Sequence, residues 1–104
     1  MAYGKIISAL ADPTRRKLLE RLRRRDYSVG ELAVIARITQ PAVSQHLRVL
    51  RSAQLVTVRA EGTRRYYGIN RIGLAELRKY LESYWDDVLS AYAASDTAPT
   101  KKGQ

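Results

Sequence analysis

Two helix-start signals lie so close together in this chain that little can fit between them. Ser28-Val29-Gly30-Glu31 is a capping box, in which the Ser28 hydroxyl and the Glu31 carboxylate each satisfy a backbone N–H that the first helical turn leaves free. Thr39-Gln40-Pro41 is a second start: Thr39 caps, and Pro41 sits early enough that its missing N–H costs nothing. Between them there is room only for a short helix, with Leu32, Ile35 and Ala36 inward, ending near Arg37, and then a tight turn. Two helices joined in this way form a helix-turn-helix.

The second of them, residues 39–52, has two distinct faces. At about 100° per residue, Val43, Leu47 and Leu50 form one narrow stripe, while Pro41, Gln45, Arg48 and Ser52 lie opposite with Ser44 beside them. The outward residues are types that read base edges: a Gln amide matches adenine, an Arg fork matches guanine, and a Ser hydroxyl takes a base or a phosphate. An ordinary amphipathic surface helix would also have a polar face, so the neighbouring segments have to discriminate. His46 lies at the margin of the apolar stripe, where a hydrogen-bonded structural role and a DNA contact are both open.

Upstream, residues 3–11 read as a first helix with Ile6, Ile7 and Leu10 on one side. Asp12-Pro13 ends it and starts a second helix, in which Leu18, Leu19 and Leu22 form the buried stripe. The opposite face of that helix is basic, from Arg15 to Arg25, and is either a solvated face or partly a polyanion contact. Downstream, residues 55–60 and 64–69 are β-branched and aromatic, and Glu61-Gly62-Thr63 between them reads as a compact turn. This hairpin is a wing. Arg59, Arg64 and Arg65 flank its turn and favour a DNA contact there, although edge strands also collect charge to avoid aggregation.

The last helix is expected from Ile72 to about Tyr92, capped by Asn70. Leu74, Leu77, Leu81, Tyr84, Trp85, Val88 and Tyr92 fall within about 100° of arc, over a length greater than one small domain needs to cover. With Tyr3, Ile6, Ile7 and Leu10 as a second apolar surface, the economical arrangement is a homodimer through both terminal helices; docking of the first helix on the last within one chain is the alternative. Residues 1–92 then make one DNA-binding and dimerisation domain, and residues 93–104, with no large apolar side chain, read as a disordered tail.

Charge is distributed to match. Residues 1–73 carry 15 Lys and Arg against 5 Asp and Glu, whereas residues 74–104 carry 4 against 5, within a net charge of +9. The basic part holds the reading helix, as suits a polyanionic partner. Cysteine is absent, which removes disulfides, thiolate metal sites and cysteine nucleophiles together. With a single histidine, lying in the reading helix, and no glycine-rich phosphate loop, an enzyme lacks its parts. No apolar run approaches a membrane span, and the patch from Ile6 to Ala11 is too short for a secretory leader, so a cytoplasmic location is expected.

Laid out in order, these motifs resemble the ArsR/SmtB family of bacterial winged-helix repressors over roughly residues 5–92. The resemblance is carried by Ala9-Leu10-Ala11-Asp12-Pro13-Thr14-Arg15-Arg16, by Ser28-Val29-Gly30-Glu31-Leu32-Ala33, and by Gln40-Pro41-Ala42-Val43-Ser44-Gln45-His46-Leu47-Arg48-Val49-Leu50. It implies a mainly α winged helix-turn-helix, in the order four helices, two strands, one helix, that dimerises through its terminal helices and represses by occupying an operator. Position by position, it implies that Thr39, Gln40, Ser44, Gln45, His46 and Arg48 lie on or beside the DNA face, and that Arg64 and Arg65 belong to the wing. The family's metal sensors place Cys-x-Cys in the third helix or Asp and His in the last. Here the former positions read Ala33-Val34-Ile35, and the last helix offers Glu82, Asp86 and Asp87 but no histidine.

The expectation is therefore a metal-independent, cofactor-free regulator binding an inverted-repeat duplex as a homodimer. Its effector, a small molecule or a protein, is unspecified. The competing reading is a winged-helix module that binds protein, which would not need Arg48, Arg64 and Arg65 together; single-stranded RNA binding lacks an exposed stacking platform.

Overall fold

The computed structural model describes residues 2–94. Helix α1 (Ala2–Leu10) meets helix α2 (Pro13–Leu22) at a corner stitched from both sides. The Asp12 carboxylate accepts from the N–H groups of Thr14 (2.7 Å) and Arg15 (3.1 Å) and so caps α2. In the other direction, Arg15 Nε donates to the Ala9 carbonyl (2.7 Å) and Arg16 Nη1 to that of Leu10 (2.8 Å), satisfying the free carbonyls at the end of α1. Two members of the basic face of α2 thus hold the corner, and the rest of that face, including Arg21, Arg23 and Arg24, is exposed.

Strand β1 (Tyr27–Ser28), helix α3 (Val29–Ala36), helix α4 (Gln40–Ser52), strands β2 (Val56–Glu61) and β3 (Arg64–Ile69), and helix α5 (Arg71–Ala94) complete the chain. The expected hairpin is joined by β1, which pairs antiparallel with β3 through Tyr27↔Tyr67 and Ser28↔Tyr66, giving the order β1-β3-β2. Two residues have no periodicity to read, so only the long-range pairing reveals this strand. Its effect is to tie the capping box of α3 to the wing. The hairpin loop is Gly62-Thr63, with Glu61 opposite Arg64 and Gly62 at φ 64° as the first loop residue, a conformation that glycine supplies without a Cβ clash.

Leu18, Leu32, Val43, Leu47, Leu50, Leu55 and Val56 are the large fully buried side chains, so the core lies between α2, α3, α4 and the base of the wing. Three details differ from the periodicity. In α3 it is Leu32 and Ala33 that are buried, with Ile35 and Ala36 half-buried and Val34 79% exposed. Leu19 is half-buried on the edge of a groove. Ile6, expected at the dimer interface, is 2% exposed because α1 packs across α4 and places it in the core of its own chain; Ile7, beside it, remains 49% exposed.

Helix α5 starts under the Asn70 side chain, which accepts from the Ile72 N–H at 3.1 Å. Its first turn presses on the bend after α4, where Gln54 holds a left-handed φ of 64° and a Cβ on Gly73 would collide with the Gln54 carbonyl oxygen. The helix also meets α1 in the same chain, with the rings of Tyr3 and Tyr80 4.7 Å apart, so part of the intramolecular alternative is realised. Its far half is uncovered. Leu81, Tyr84, Trp85, Leu89 and Tyr92 are 47–64% exposed, and the radius of gyration is 17.9 Å, against about 13 Å for a compact chain of about 100 residues. The helix is continuous through Ala94, past its expected end; the remainder of the expected tail, residues 95–104, lies outside the described residues. Among the described residues no helix is long and apolar enough to cross a membrane.

Candidate nucleic-acid interface

The capping box forms as expected: Ser28 N–H donates to Glu31 Oε1 (2.9 Å) and Glu31 N–H to Ser28 Oγ (3.2 Å). The Ser28 N–H, and beyond it the Arg25 guanidinium, hold the Glu31 carboxyl below its ordinary range against the smaller opposing effect of burial. Helix α3 ends where Arg37 turns left-handed (φ 59°), so that its own N–H and that of Ile38 both reach the Ala33 carbonyl. Thr39 then caps α4, its hydroxyl accepting from the Ala42 N–H at 3.2 Å. Thr39, expected on the DNA face, is thus exposed and simultaneously the fastener of the reading helix.

On the outer face of α4, Arg48 Nη1 donates to Gln45 Oε1 at 2.6 Å, and both side chains are exposed. With the Gln45 oxygen taken up by this bond, the pair retains the Gln45 amide NH2 and the remaining guanidinium hydrogens as donors. Gln40 is exposed, its amide nitrogen close to Gly30 of α3. Ser44 and His46 are half-buried, and His46 Nδ1 is sealed from solvent with no hydrogen-bond partner among the described residues. That ring nitrogen is enclosed by its own chain.

The wing arginines divide into two kinds. Arg59 is bound by Asp26 (3.1 Å) and Glu61 (2.7 Å), with its guanidinium 4.9 Å from the centre of the Tyr66 ring; first Asp26 and then Glu61 raise its already high pKa. Two carboxylates more than offset its single charge, so Arg59 braces the wing against the loop before β1 and is less available to a polyanion than expected. Arg64 and Arg65 are exposed and, among the described residues, have no carboxylate partner. With Gly30, Glu31 and Val34 they line an open groove of about 500 Å³ between the wing and the start of α3.

One contribution has no local signal in the sequence. Packing of α1 against α4 brings Lys5 and Ser8 into the same hollow as Arg48, Val49 and Ser52, which adds a cation beside the reading helix. Among the described residues, no three His, Cys, Asp or Glu side chains converge in a way that could hold a metal ion.

A capped helix-turn-helix, a basic hairpin beside it and an exposed polar face on the second helix define a winged helix-turn-helix domain. The profile of the arsR family of bacterial regulatory proteins matches residues 12–58. The HTH-type transcriptional regulator Rv2034 of Mycobacterium tuberculosis is 51% identical over 85 residues, covering 82% of this chain and 79% of the relative. The transcriptional repressor SdpR of Bacillus subtilis is 35% identical over 65 residues, 62% of this chain and 72% of SdpR. Among solved structures, the homodimeric winged helix-turn-helix DNA-binding domain of Mb0332 from Mycobacterium bovis superposes with a TM-score of 0.69 at 29% identity, covering 83% of this chain and 80% of that one. The chain belongs to the ArsR family of bacterial transcriptional regulators.

Proposed function

We propose that the protein is a homodimeric repressor, acting in the bacterial cytoplasm, that occupies an inverted-repeat operator with α4 of each protomer in the major groove and each wing on the sugar-phosphate backbone. The observation that carries this reading is the exposed Gln45–Arg48 pair on the outer face of α4, on a helix whose opposite face, Val43, Leu47 and Leu50, is wholly buried. Gln45 and Arg48 read bases; Gln40, Ser44 and Lys5 support them; Arg64 and Arg65 hold phosphate. Thr39 and Arg59 position the helix and the wing. Dimerisation through the uncovered half of α5, with Ile7 and Leu10 of α1, sets two such faces about one helical turn, roughly 34 Å, apart.

The experiment is selection from a random duplex library, followed by titration at several salt concentrations. An inverted repeat should be enriched. Gln45→Ala or Arg48→Ala should cost about 1–3 kcal/mol on that site and little on random DNA. Arg64→Ala or Arg65→Ala should weaken every duplex and flatten the slope of log affinity against log salt by about one for each phosphate that is no longer neutralised. Enrichment of no repeat, with all four variants binding alike, would leave α4 an ordinary surface helix.

A further inference from the structure

A second groove opens on another part of the molecule, where the end of α2, the end of β3 and the start of α5 meet. Its floor is apolar: Leu22 is buried, and Leu19, Ile69 and Leu74 are half-buried around it, while Leu10, assigned above to the dimer face, also lines it and takes no part in the proposed contact. The volume is about 590 Å³, within the range of small-molecule sites. The rim holds Arg16, Arg23, Arg24, Arg25 and Arg71 against a single acid, Glu20.

Two of those arginines are engaged elsewhere. Arg16 donates to the carbonyls that end α1, and Arg25 pairs with Glu31 (3.5 Å) and stacks 3.9 Å from the centre of the Tyr27 ring. Arg23, Arg24 and Arg71 are exposed and, among the described residues, lack a carboxylate partner. Arg71 opens α5, where the helix dipole adds positive potential of the same sign. A neutral apolar ligand would leave three like charges uncompensated, and a bare anion would leave the leucine floor in water.

We propose that this groove binds an anionic amphiphile: a carboxylate or phosphate monoester head held by Arg23, Arg24 and Arg71, with an alkyl or acyl chain lying over Leu19, Ile69 and Leu74. The site spans the joint between the wing and α5. An occupant therefore bears on the angle between the helix-turn-helix and the helix that carries the uncovered strip, and any effect on DNA affinity is matched by an equal effect of DNA on ligand affinity.

The test uses the full chain and calorimetry, with decanoate, decyl phosphate, the neutral 1,2-decanediol, and acetate or inorganic phosphate as probes, all below micellar concentrations. Decanoate or decyl phosphate should saturate at one per protomer, the stronger of the two identifying the head group. The diol should bind at least tenfold more weakly, and the short anions should not saturate. Arg23→Gln with Arg71→Gln, and separately Leu19→Gln, should each weaken the preferred amphiphile at least tenfold while circular dichroism confirms the fold. The proposal is overturned if the diol binds as well as the anions. It is equally overturned if neither amphiphile binds; should the double arginine variant then also dissociate a dimer, the arginines serve an interface with a second copy instead. No arm involves DNA, so its failure is distinct from failure of the operator reading.

Discussion

Trp85 offers the cleanest perturbation of the assembly, because it can be removed without touching the core of its own chain. It is 61% exposed; of the roughly 250 Å² that a large aromatic side chain can bury, about 150 Å² therefore remains in water until something covers it. At about 25 cal/mol per Å², covering that surface stabilises an interface by about 3–4 kcal/mol per copy. A symmetric dimer contains the residue twice, so Trp85→Ala should weaken dimerisation by about 6–8 kcal/mol, or four to six orders of magnitude in Kd. Buried area overstates interface energy where packing is imperfect, so this is the upper end of the expected loss, and about tenfold or more is expected of a central aromatic anchor. The thermal transition of the isolated protomer should shift little, since the substituted side chain touches little there. Sedimentation equilibrium from nanomolar to tens of micromolar, with circular dichroism on the same samples, separates association from folding. A wild-type chain that is monomeric at tens of micromolar, or a Trp85→Ala chain that dimerises as tightly as the wild type, would refute the assignment of the α5 strip to a second copy.

Gly73→Ala should destabilise the fold by about 1–3 kcal/mol in urea titrations, because the added Cβ must displace the backbone at Gln54; an unchanged midpoint would mean that α5 is not seated on that bend. The Asp12 carboxyl is held below its ordinary range, first by the Arg15 N–H and, after an opposing effect of burial, by the Thr14 N–H, while Glu31 is lowered chiefly by the Ser28 N–H. Groups with depressed folded-state pKa values contribute stability that is fully present above the unfolded values of about 4 and is lost as pH falls through the lower folded ones. Thermal midpoints should therefore fall below about pH 4, and the Asp12→Asn, Glu31→Gln double variant should show a shallower fall; parallel acid profiles would contradict the capping assignment. With alanine and isoleucine at the third-helix positions, Zn²⁺ or a chelator should leave duplex affinity unchanged within twofold, and a reversible tenfold loss on adding the metal would show otherwise.

Local physics was legible in the residues themselves. Ser28 with Glu31, Asp12 before Pro13, and Thr39 before Gln40-Pro41 each define a helix start through bonds that span only two or three residues, and all three formed. The stripe Val43, Leu47, Leu50 and its polar opposite were equally readable, because a helix converts sequence spacing directly into a face. The hairpin followed from β-branched and aromatic content on either side of a glycine turn.

Tertiary structure decided whatever depended on which surfaces meet. Ile6 and Ile7 are neighbours on one short helix, and only the packing of α1 across α4 sends one to the core and leaves the other outside. Arg59 and Arg64 flank the same turn with the same charge. Asp26, remote in sequence, neutralises the first and leaves the second to act as a cation, because Coulomb attraction depends on distance in space. Arg23, Arg24 and Arg71 likewise come from separate segments and become a single site only when α2 and α5 converge over the same leucines. A chain specifies its caps and its faces through neighbours along the backbone, whereas charge pairing and grooves arise between segments, and only the fold brings those segments together.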